Sequence, residues 1–255
     1  MNVNSSASRM RSWHLKEEGR QLRVGGYTPF SASEYPGLLS AVIFVQGCPW
    51  RCGYCQNTHL QERTRDSPIA WKDIVTTLER RAGMLDAVVF CGGEPTMDPA
   101  LHSAISQVRA MGFKIGLETA CIYPERLKSV LPLVDWVGFD VKTTFGRYAE
   151  VTGIAGSGAP VQESVTAILA SGVDYECRTT VHPAHLSPAQ LMELAQALAA
   201  MGVNNYVLQE FRATGCADEG LVSGAMPGYP AENLLTGIAP LFNSFNVRRA
   251  GQAAR

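Results

Sequence analysis

Residues 40–55 read SAVIFVQGCPWRCGYC, an apolar run followed directly by three cysteines, Cys48, Cys52 and Cys55. The first half is typical of a buried strand, because it is short, rich in β-branched residues and ends at Gly47. The second half is a loop that brings three thiols within eight positions. Zinc and iron–sulfur sites usually take four ligands, so this loop predicts a metal centre with one place left open.

Five further segments have the same β-rich character, and they lie at 87–91, 113–118, 136–142, 174–181 and 205–211. Segments with helical spacing separate them. The helix signals are Ser67-Pro68, Pro99 and Ser187-Pro188 as starts, Gly112 and Gly202 as ends, and a last helix over 230–242. Strands and helices that alternate in this way predict parallel strands joined by right-handed crossovers. An extra hairpin or edge strand is expected before the first of them, within 22–39.

The composition describes a soluble globular chain. Of its 255 residues 46% are hydrophobic, and the formal net charge is −1, so neither nucleic acid nor a membrane is an expected partner. Residues 1–20 are polar and without a secretory signal, which predicts a poorly ordered terminus, one domain over 21–255 and a cytoplasmic location. Seven cysteines, an odd number, argue against a disulfide framework.

Polar residues cluster where the predicted strands end. They are Gly92, Gly93, Glu94 and Pro95 after the second strand, then Glu118 and Thr119, Asp140 and Lys142, His182, and Gln209. In parallel α/β barrels the carboxyl ends of the strands open onto one mouth. The placement therefore predicts one functional site at that mouth.

The spacing Cys-x3-Cys-x2-Cys, with Tyr54 before the last cysteine and GGEP (92–95) about forty residues on, resembles the radical S-adenosylmethionine superfamily. The resemblance implies a partial (β/α)6 TIM-like barrel. It also implies that the three cysteines bind a [4Fe–4S] cluster and that S-adenosylmethionine chelates the fourth iron. The glycines would let the backbone approach the cofactor, and Glu94 would accept from its ammonium.

GLETA (116–120) and DWVGFDVKT (135–143) are similar to motifs of the enzymes that activate glycyl radical enzymes. This resemblance implies that Asp140 and Lys142 contact the cofactor, and that Glu118, Thr119 and Asp140 surround a monovalent cation. The full set of cofactor contacts implied by the family is Tyr54, Gln56, Gly92, Gly93, Glu94, Pro95, Glu118, Thr119, Asp140, Lys142, Arg178 and Gln209.

Most of residues 25–215 resemble the activating proteins of anaerobic (class III) ribonucleoside-triphosphate reductase. The implied reaction is reductive cleavage of S-adenosylmethionine to a 5′-deoxyadenosyl radical, which generates a glycyl radical on the reductase. Flavodoxin or ferredoxin is the implied electron donor. The alternatives are an activase of the pyruvate formate-lyase type, a small-molecule radical enzyme such as a deazapurine synthase, and a zinc-binding scaffold protein.

Several residues also have a purely structural interpretation. Arg178 could pair with Glu176 or Glu210 as an ordinary strand arginine. Asp140 and Lys142 could form a solvated pair at a strand end. His182 and His185 have the spacing of a metal pair, but the proline between them and the absence of a third ligand favour loop histidines.

Overall fold

The computed structural model describes residues 20–250. The polar N-terminal stretch predicted to be poorly ordered lies outside these residues, except for Arg20. The centre of the structure is one sheet of eight strands that lie side by side in chain order. The strands are β1 (Val24–Ser31), β2 (Ser40–Val45), β3 (Ala87–Gly92), β4 (Lys114–Thr119), β5 (Trp136–Asp140), β6 (Asp174–Val181), β7 (Asn205–Glu210) and β8 (Ser244–Arg248).

Strand β1 pairs antiparallel with β2, and every later pair is parallel. The sheet does not close between β1 and β8. The helices are α1 (Trp71–Glu79), α2 (Leu101–Ala110), α3 (Pro124–Val130), α4 (Tyr148–Thr152), α5 (Gly158–Ser171), α6 (Pro188–Met201), α7 (Glu219–Ser223) and α8 (Glu232–Ile238). No helix within residues 20–250 is long and apolar enough to cross a bilayer.

The predicted partial barrel is confirmed. The six predicted parallel strands are β2 to β7, and the predicted edge strand is β1. Strand β8 was not predicted, because Ser244–Arg248 is half-exposed and largely polar. The predicted last helix is shorter than 230–242, since α8 ends at Ile238 and a 3-10 turn follows.

Of two expected helix starts, the one at Ser187-Pro188 is confirmed and the one at Ser67-Pro68 is wrong. Ser187 forms a full capping box with Gln190, and Pro188 is the first residue of α6, as predicted. Ser67-Pro68 does not start a helix, because α1 begins at Trp71. The Ser67 hydroxyl instead accepts from the backbone N–H of Val24 at 2.8 Å and so holds β1 in place.

The two faces of the sheet are built differently. Alternate strand residues such as Ile43, Phe90 and Val137 belong to the large core that includes the helices. The opposite, inner face carries a small apolar cluster around Val42 and Trp136 near the amino ends of the strands. The carboxyl ends of the strands on this inner face are polar, which leaves them available for chemistry.

The loop between β1 and β2 covers the inner face near the amino ends of the strands. We call this loop the plug. Its Tyr35 is buried, and the ring lies 5.5 Å from that of Trp136. Gly116 of β4 makes room for it, because a Cβ there would lie 3.1 Å from the Tyr35 ring. Burial raises the pKa of Tyr35 to about 12. The N-terminal extension therefore closes one end of the partial barrel and leaves the other end open.

We expect Tyr35→Ala to lower the free energy of unfolding by about 3 kcal/mol, since it removes a buried aromatic ring and leaves a cavity against Trp136. Chemical denaturation followed by circular dichroism measures this loss. Phe30→Ala is the matched control, because Phe30 lies in the same extension but is 54% exposed. Equal losses in the free energy of unfolding for the two variants would show that the Tyr35 ring does not close this end of the barrel.

Candidate functional site

The cysteine loop follows β2 and is held by backbone hydrogen bonds. Gly47 has a φ of +103°, which turns the chain sharply after the strand. Its N–H donates to the carbonyl of Leu60 at 2.8 Å, and the N–H of Cys48 donates to Gln61 at 3.0 Å. The N–H of Cys55 donates to the carbonyl of Cys52 at 3.0 Å, which curls the loop back on itself. The fold thus fixes the loop at the mouth of the barrel.

The three thiols suit a soft metal centre. All three are free and partly buried. Burial raises the pKa of Cys48 to about 12 and also raises that of Cys52, so these thiols stay protonated until a positive centre stabilises the thiolate. Among residues 20–250 no three His, Cys, Asp or Glu side chains converge on a point that could hold a single ion. An iron–sulfur cluster offers several metal atoms, so thiolates on one loop can each take a different iron.

Backbone hydrogen bonds join the GGEP segment to the cysteine loop and to the end of β2. The N–H of Gly93 donates to Val45 at 3.0 Å, and the N–H of Glu94 donates to Gly47 at 2.8 Å. A Cβ on Gly92 would lie 2.5 Å from the Val45 nitrogen, and one on Gly93 would lie 2.4 Å from the Gly47 oxygen. Both glycines are therefore required for the two loops to meet, in addition to any role toward a ligand.

Glu94 joins the end of β3 to the end of β4. Its side chain is fully buried, and one carboxylate oxygen accepts from the N–H and hydroxyl of Thr96 and from the hydroxyl of Thr119. The other oxygen accepts from the N–H of Ala120 at 2.8 Å. Burial raises the pKa of Glu94, and these four donors lower it. A direct contact between Glu94 and a cofactor ammonium stays a prediction, whereas its role between the strands is visible. Pro95, which is buried, begins the 3-10 turn that follows.

Lys142 is buried rather than solvated. It is 8% exposed, and its ammonium lies 3.2 Å from the carboxylate of Asp140 and 5.5 Å from the centre of the Tyr54 ring. The backbone N–H of Lys142 donates to the hydroxyl of Tyr148 at 2.8 Å. Asp140 is more open, with 39% of its side chain exposed. The pair therefore lies against the cysteine loop, with the carboxylate on the accessible side.

Arg178 of β6 lies between two carboxylates on the inner face. Its guanidinium contacts Glu118 of β4 at 2.7 Å and Glu176 at 2.6 Å. Of the two structural partners considered from the sequence, the described contacts include Glu176 and not Glu210. Glu176 also contacts Arg248 of β8 at 2.7 Å. The predicted cofactor contact of Arg178 remains untested, but the ion pairs are part of the fold.

A segment that carries no recognisable motif covers the cysteine loop. We call residues 211–228 the strap. The amide of Gln56 donates to the carbonyl of Arg212 at 3.1 Å, and the Cys216 thiol donates to the carbonyl of Gly53 at 3.4 Å. Leu221 packs with Tyr54 in one apolar cluster. The strap reaches the cysteine loop only through the three-dimensional fold, so no local sequence pattern predicts it.

The two histidines are loop residues, in line with the structural interpretation. His182 is buried, accepts from the N–H of Ala184 and donates to the carbonyl of Leu221 at 3.0 Å. His185 packs edge-on against Tyr54 at 5.6 Å, and burial lowers its pKa. Gln209 lies in β7, where it pairs with Thr180 and Arg248 of the neighbouring strands, and its contact with a cofactor stays a prediction.

A family model for the Radical SAM superfamily matches residues 42–198, which run from β2 into α6. This match spans more than half of the chain and includes the cysteine loop and the GGEP segment. The chain belongs to the Radical SAM superfamily. Membership implies a [4Fe–4S] cluster and S-adenosylmethionine as cofactors.

Among known proteins, the chain is similar to a candidate glycyl-radical enzyme activating enzyme of Methanocaldococcus jannaschii. The two are 28% identical over 212 residues, which is 80% of this chain and 86% of the relative. It is also similar to 7-carboxy-7-deazaguanine synthase of Methanopyrus kandleri, at 29% identity over 129 residues, or 43% of this chain and 51% of that enzyme.

Solved structures share the fold. SuiB of Streptococcus suis bound to precursor peptide SuiA superposes with a TM-score of 0.63 at 15% identity, over 98% of this chain and 55% of SuiB. The chain thus spans about half the length of SuiB. QueE from Escherichia coli gives a TM-score of 0.52 at 13% identity, over 97% of this chain and 100% of QueE. At these identities the likeness concerns the fold alone.

We expect Glu94→Gln to lower the free energy of unfolding by about 3 kcal/mol, because the amide N–H2 would face buried donors that now share the carboxylate. Urea denaturation of the apoprotein measures the change. Glu79→Gln, at an exposed position at the end of α1, is the matched control and should be neutral. A Glu94 variant as stable as the control would show that the link between β3 and β4 is unimportant.

Proposed function

We propose that this chain activates a glycyl radical enzyme, and that its partner is anaerobic (class III) ribonucleoside-triphosphate reductase. In this proposal Cys48, Cys52 and Cys55 bind three irons of a [4Fe–4S] cluster, and S-adenosylmethionine binds the fourth. The observation that carries the proposal is the cysteine loop, fixed by backbone hydrogen bonds to the GGEP segment at the open end of a radical SAM fold.

The cluster, when bound and reduced, supplies the electron for reductive cleavage of S-adenosylmethionine to a 5′-deoxyadenosyl radical. The chain binds and orients what reacts there. Lys142 and Asp140 present a buried ammonium and an accessible carboxylate beside the cysteine loop, which suits the zwitterionic end of an amino acid. Tyr54 and the strap cover the other side of the loop and exclude water from it.

The shape of the sheet suits a macromolecular substrate. Because β8 does not pair with β1, the inner face is open along one side. A chain segment containing glycine could enter there, and glycine has no side chain to block approach to its Cα. The similarity to a candidate glycyl-radical enzyme activating enzyme over 80% of this chain supports the same assignment.

A small-molecule radical enzyme is the second candidate. It is supported by the similarity to 7-carboxy-7-deazaguanine synthase, although that similarity covers 43% of this chain. The pyruvate formate-lyase type of activase remains an alternative protein substrate. Membership of the superfamily leaves the zinc scaffold without support.

The proposal includes three further points. We take residues 21–255 as one radical SAM domain, flavodoxin or ferredoxin as the electron donor, and the cytoplasm as the location. A monovalent cation beside Glu118 and Asp140 is not part of it, because Glu118 already binds Arg178.

We expect anaerobically reconstituted protein, mixed with reductant, S-adenosylmethionine and a class III reductase, to give a glycine-centred doublet by electron paramagnetic resonance. Cys52→Ala should give no doublet and should lose S-adenosylmethionine cleavage, because one iron would lack its thiolate. Cys216→Ala is the matched control and should keep both, since Cys216 touches the cysteine loop but lies outside the motif.

The choice of partner is tested in the same assay. A doublet on pyruvate formate-lyase but not on the reductase would assign the other activase type. Cleavage of S-adenosylmethionine with no doublet on either protein would favour the small-molecule reaction.

A further inference from the structure

The inner face of the sheet carries a chain of four alternating charges. It runs from Glu118 of β4 through Arg178 and Glu176 of β6 to Arg248 of β8, with every contact at 2.6 or 2.7 Å. The central arginine is well shielded, with 11% of its side chain exposed. Two carboxylates and two guanidiniums balance within this ion-paired set. The set links three strands across the open barrel.

The guanidinium of Arg178 packs against residues of the neighbouring strand β5. A Cβ on Gly138 of β5 would lie 2.9 Å from its Cζ and Nη2 atoms, so the guanidinium rests where that side chain would be. It also lies over the ring of Trp136, 5.2 Å from the ring centre. An aromatic ring, close packing on a glycine and two carboxylate partners suit arginine better than lysine.

The residues expected to surround a monovalent cation do not fit that role. Glu118 binds Arg178, and Asp140 binds the ammonium of Lys142. The hydroxyl of Thr119 donates to Glu94 and accepts from the N–H of Cys121 at 2.9 Å, so one of its two lone pairs is already used. A further cation would add positive charge to a place where the ion pairs already balance.

We propose that Arg178 is a built-in counter-ion that takes the place of a bound monovalent cation at the barrel mouth. It acts as a positioning residue, because it holds Glu118 ionised and in a fixed orientation. The guanidinium is covalently part of the chain and keeps its charge at all physiological pH values. The positive charge at this place therefore does not depend on which cations are in solution. The inference rests on the proposed function only in taking Glu118 to face the cofactor.

The first test needs no cofactor. The melting temperature of the apoprotein is measured in potassium, sodium, lithium and choline chloride at one ionic strength. Wild type should give the same value in all four. Arg178→Ala should melt roughly 10 °C lower, because it leaves the partly buried Glu118 unpaired and removes one of the two cationic partners of Glu176. Low millimolar guanidinium should recover part of this loss in the variant and none in wild type.

Arg248→Ala is the matched control, since Arg248 is the other partner of Glu176 but does not touch Glu118. It should show a smaller loss and no recovery with guanidinium. If Arg178→Ala does not fold, Arg178→Lys replaces it. This variant keeps the charge without the planar fork, and it should melt below wild type.

The second test uses the reconstituted protein and isothermal titration with S-adenosylmethionine. Wild type should bind with the same affinity in potassium and choline, within about twofold. A tenfold preference for potassium, or a wild-type melting temperature that rises specifically with potassium, would overturn the proposal. So would an Arg178→Ala variant as stable as wild type, or one that guanidinium does not stabilise. Failure of the proposed function would appear as the absence of a glycine-centred doublet and would leave both the melting and the titration results intact.

Discussion

The site depends on the close approach of two backbones, those of the loops after β2 and β3. The peptide of Gly47 accepts from Glu94, and the peptide of Val45 accepts from Gly93. No side chain fits between them at Gly92 or Gly93. This contact sets the distance between the cysteine loop and the GGEP segment, and therefore the width of any pocket that both loops line. The geometry of this radical SAM site therefore depends first on how closely the two backbones pack.

The second constraint is electrostatic. The inner face carries more charge than an ordinary core, and each charge described here has a partner of opposite sign. Arg178 lies between two carboxylates, and Lys142 faces Asp140. Unpaired charge would be costly to bury, so these pairs allow the barrel to keep polar groups close to the mouth without loss of stability. Tyr35 closes the opposite end with apolar contacts.

Much of this arrangement could be predicted from the sequence. Local patterns mark the strands and the extra hairpin or edge strand before them, and strand order followed from the alternation with helices. The position of Glu94 after a strand and that of Arg178 within a strand were also readable, but their partners were not. Thr119 and Ala120 reach Glu94 only because β4 lies beside β3, and Glu118 reaches Arg178 across β5.

Other features have no local sequence pattern that predicts them. The sequence of β8 is too polar to read as a strand, and it pairs because β7 offers a free edge. The strap has no motif, and it covers the cysteine loop through contacts such as that of Cys216 with Gly53. The expected cation stays a prediction, and the proposal against it rests on contacts of the same long-range kind. Arg178, which pairs with Glu118, lies sixty residues farther along the chain than that glutamate.

The central claim is that three cysteines leave one iron open for S-adenosylmethionine. Mössbauer spectroscopy of the reconstituted, iron-57-labelled protein tests it most directly. Addition of S-adenosylmethionine should change the isomer shift of about one iron in four, because only that iron lacks a thiolate. A spectrum in which all the irons are unaffected by the cofactor, or a protein that takes up no iron, would contradict the account.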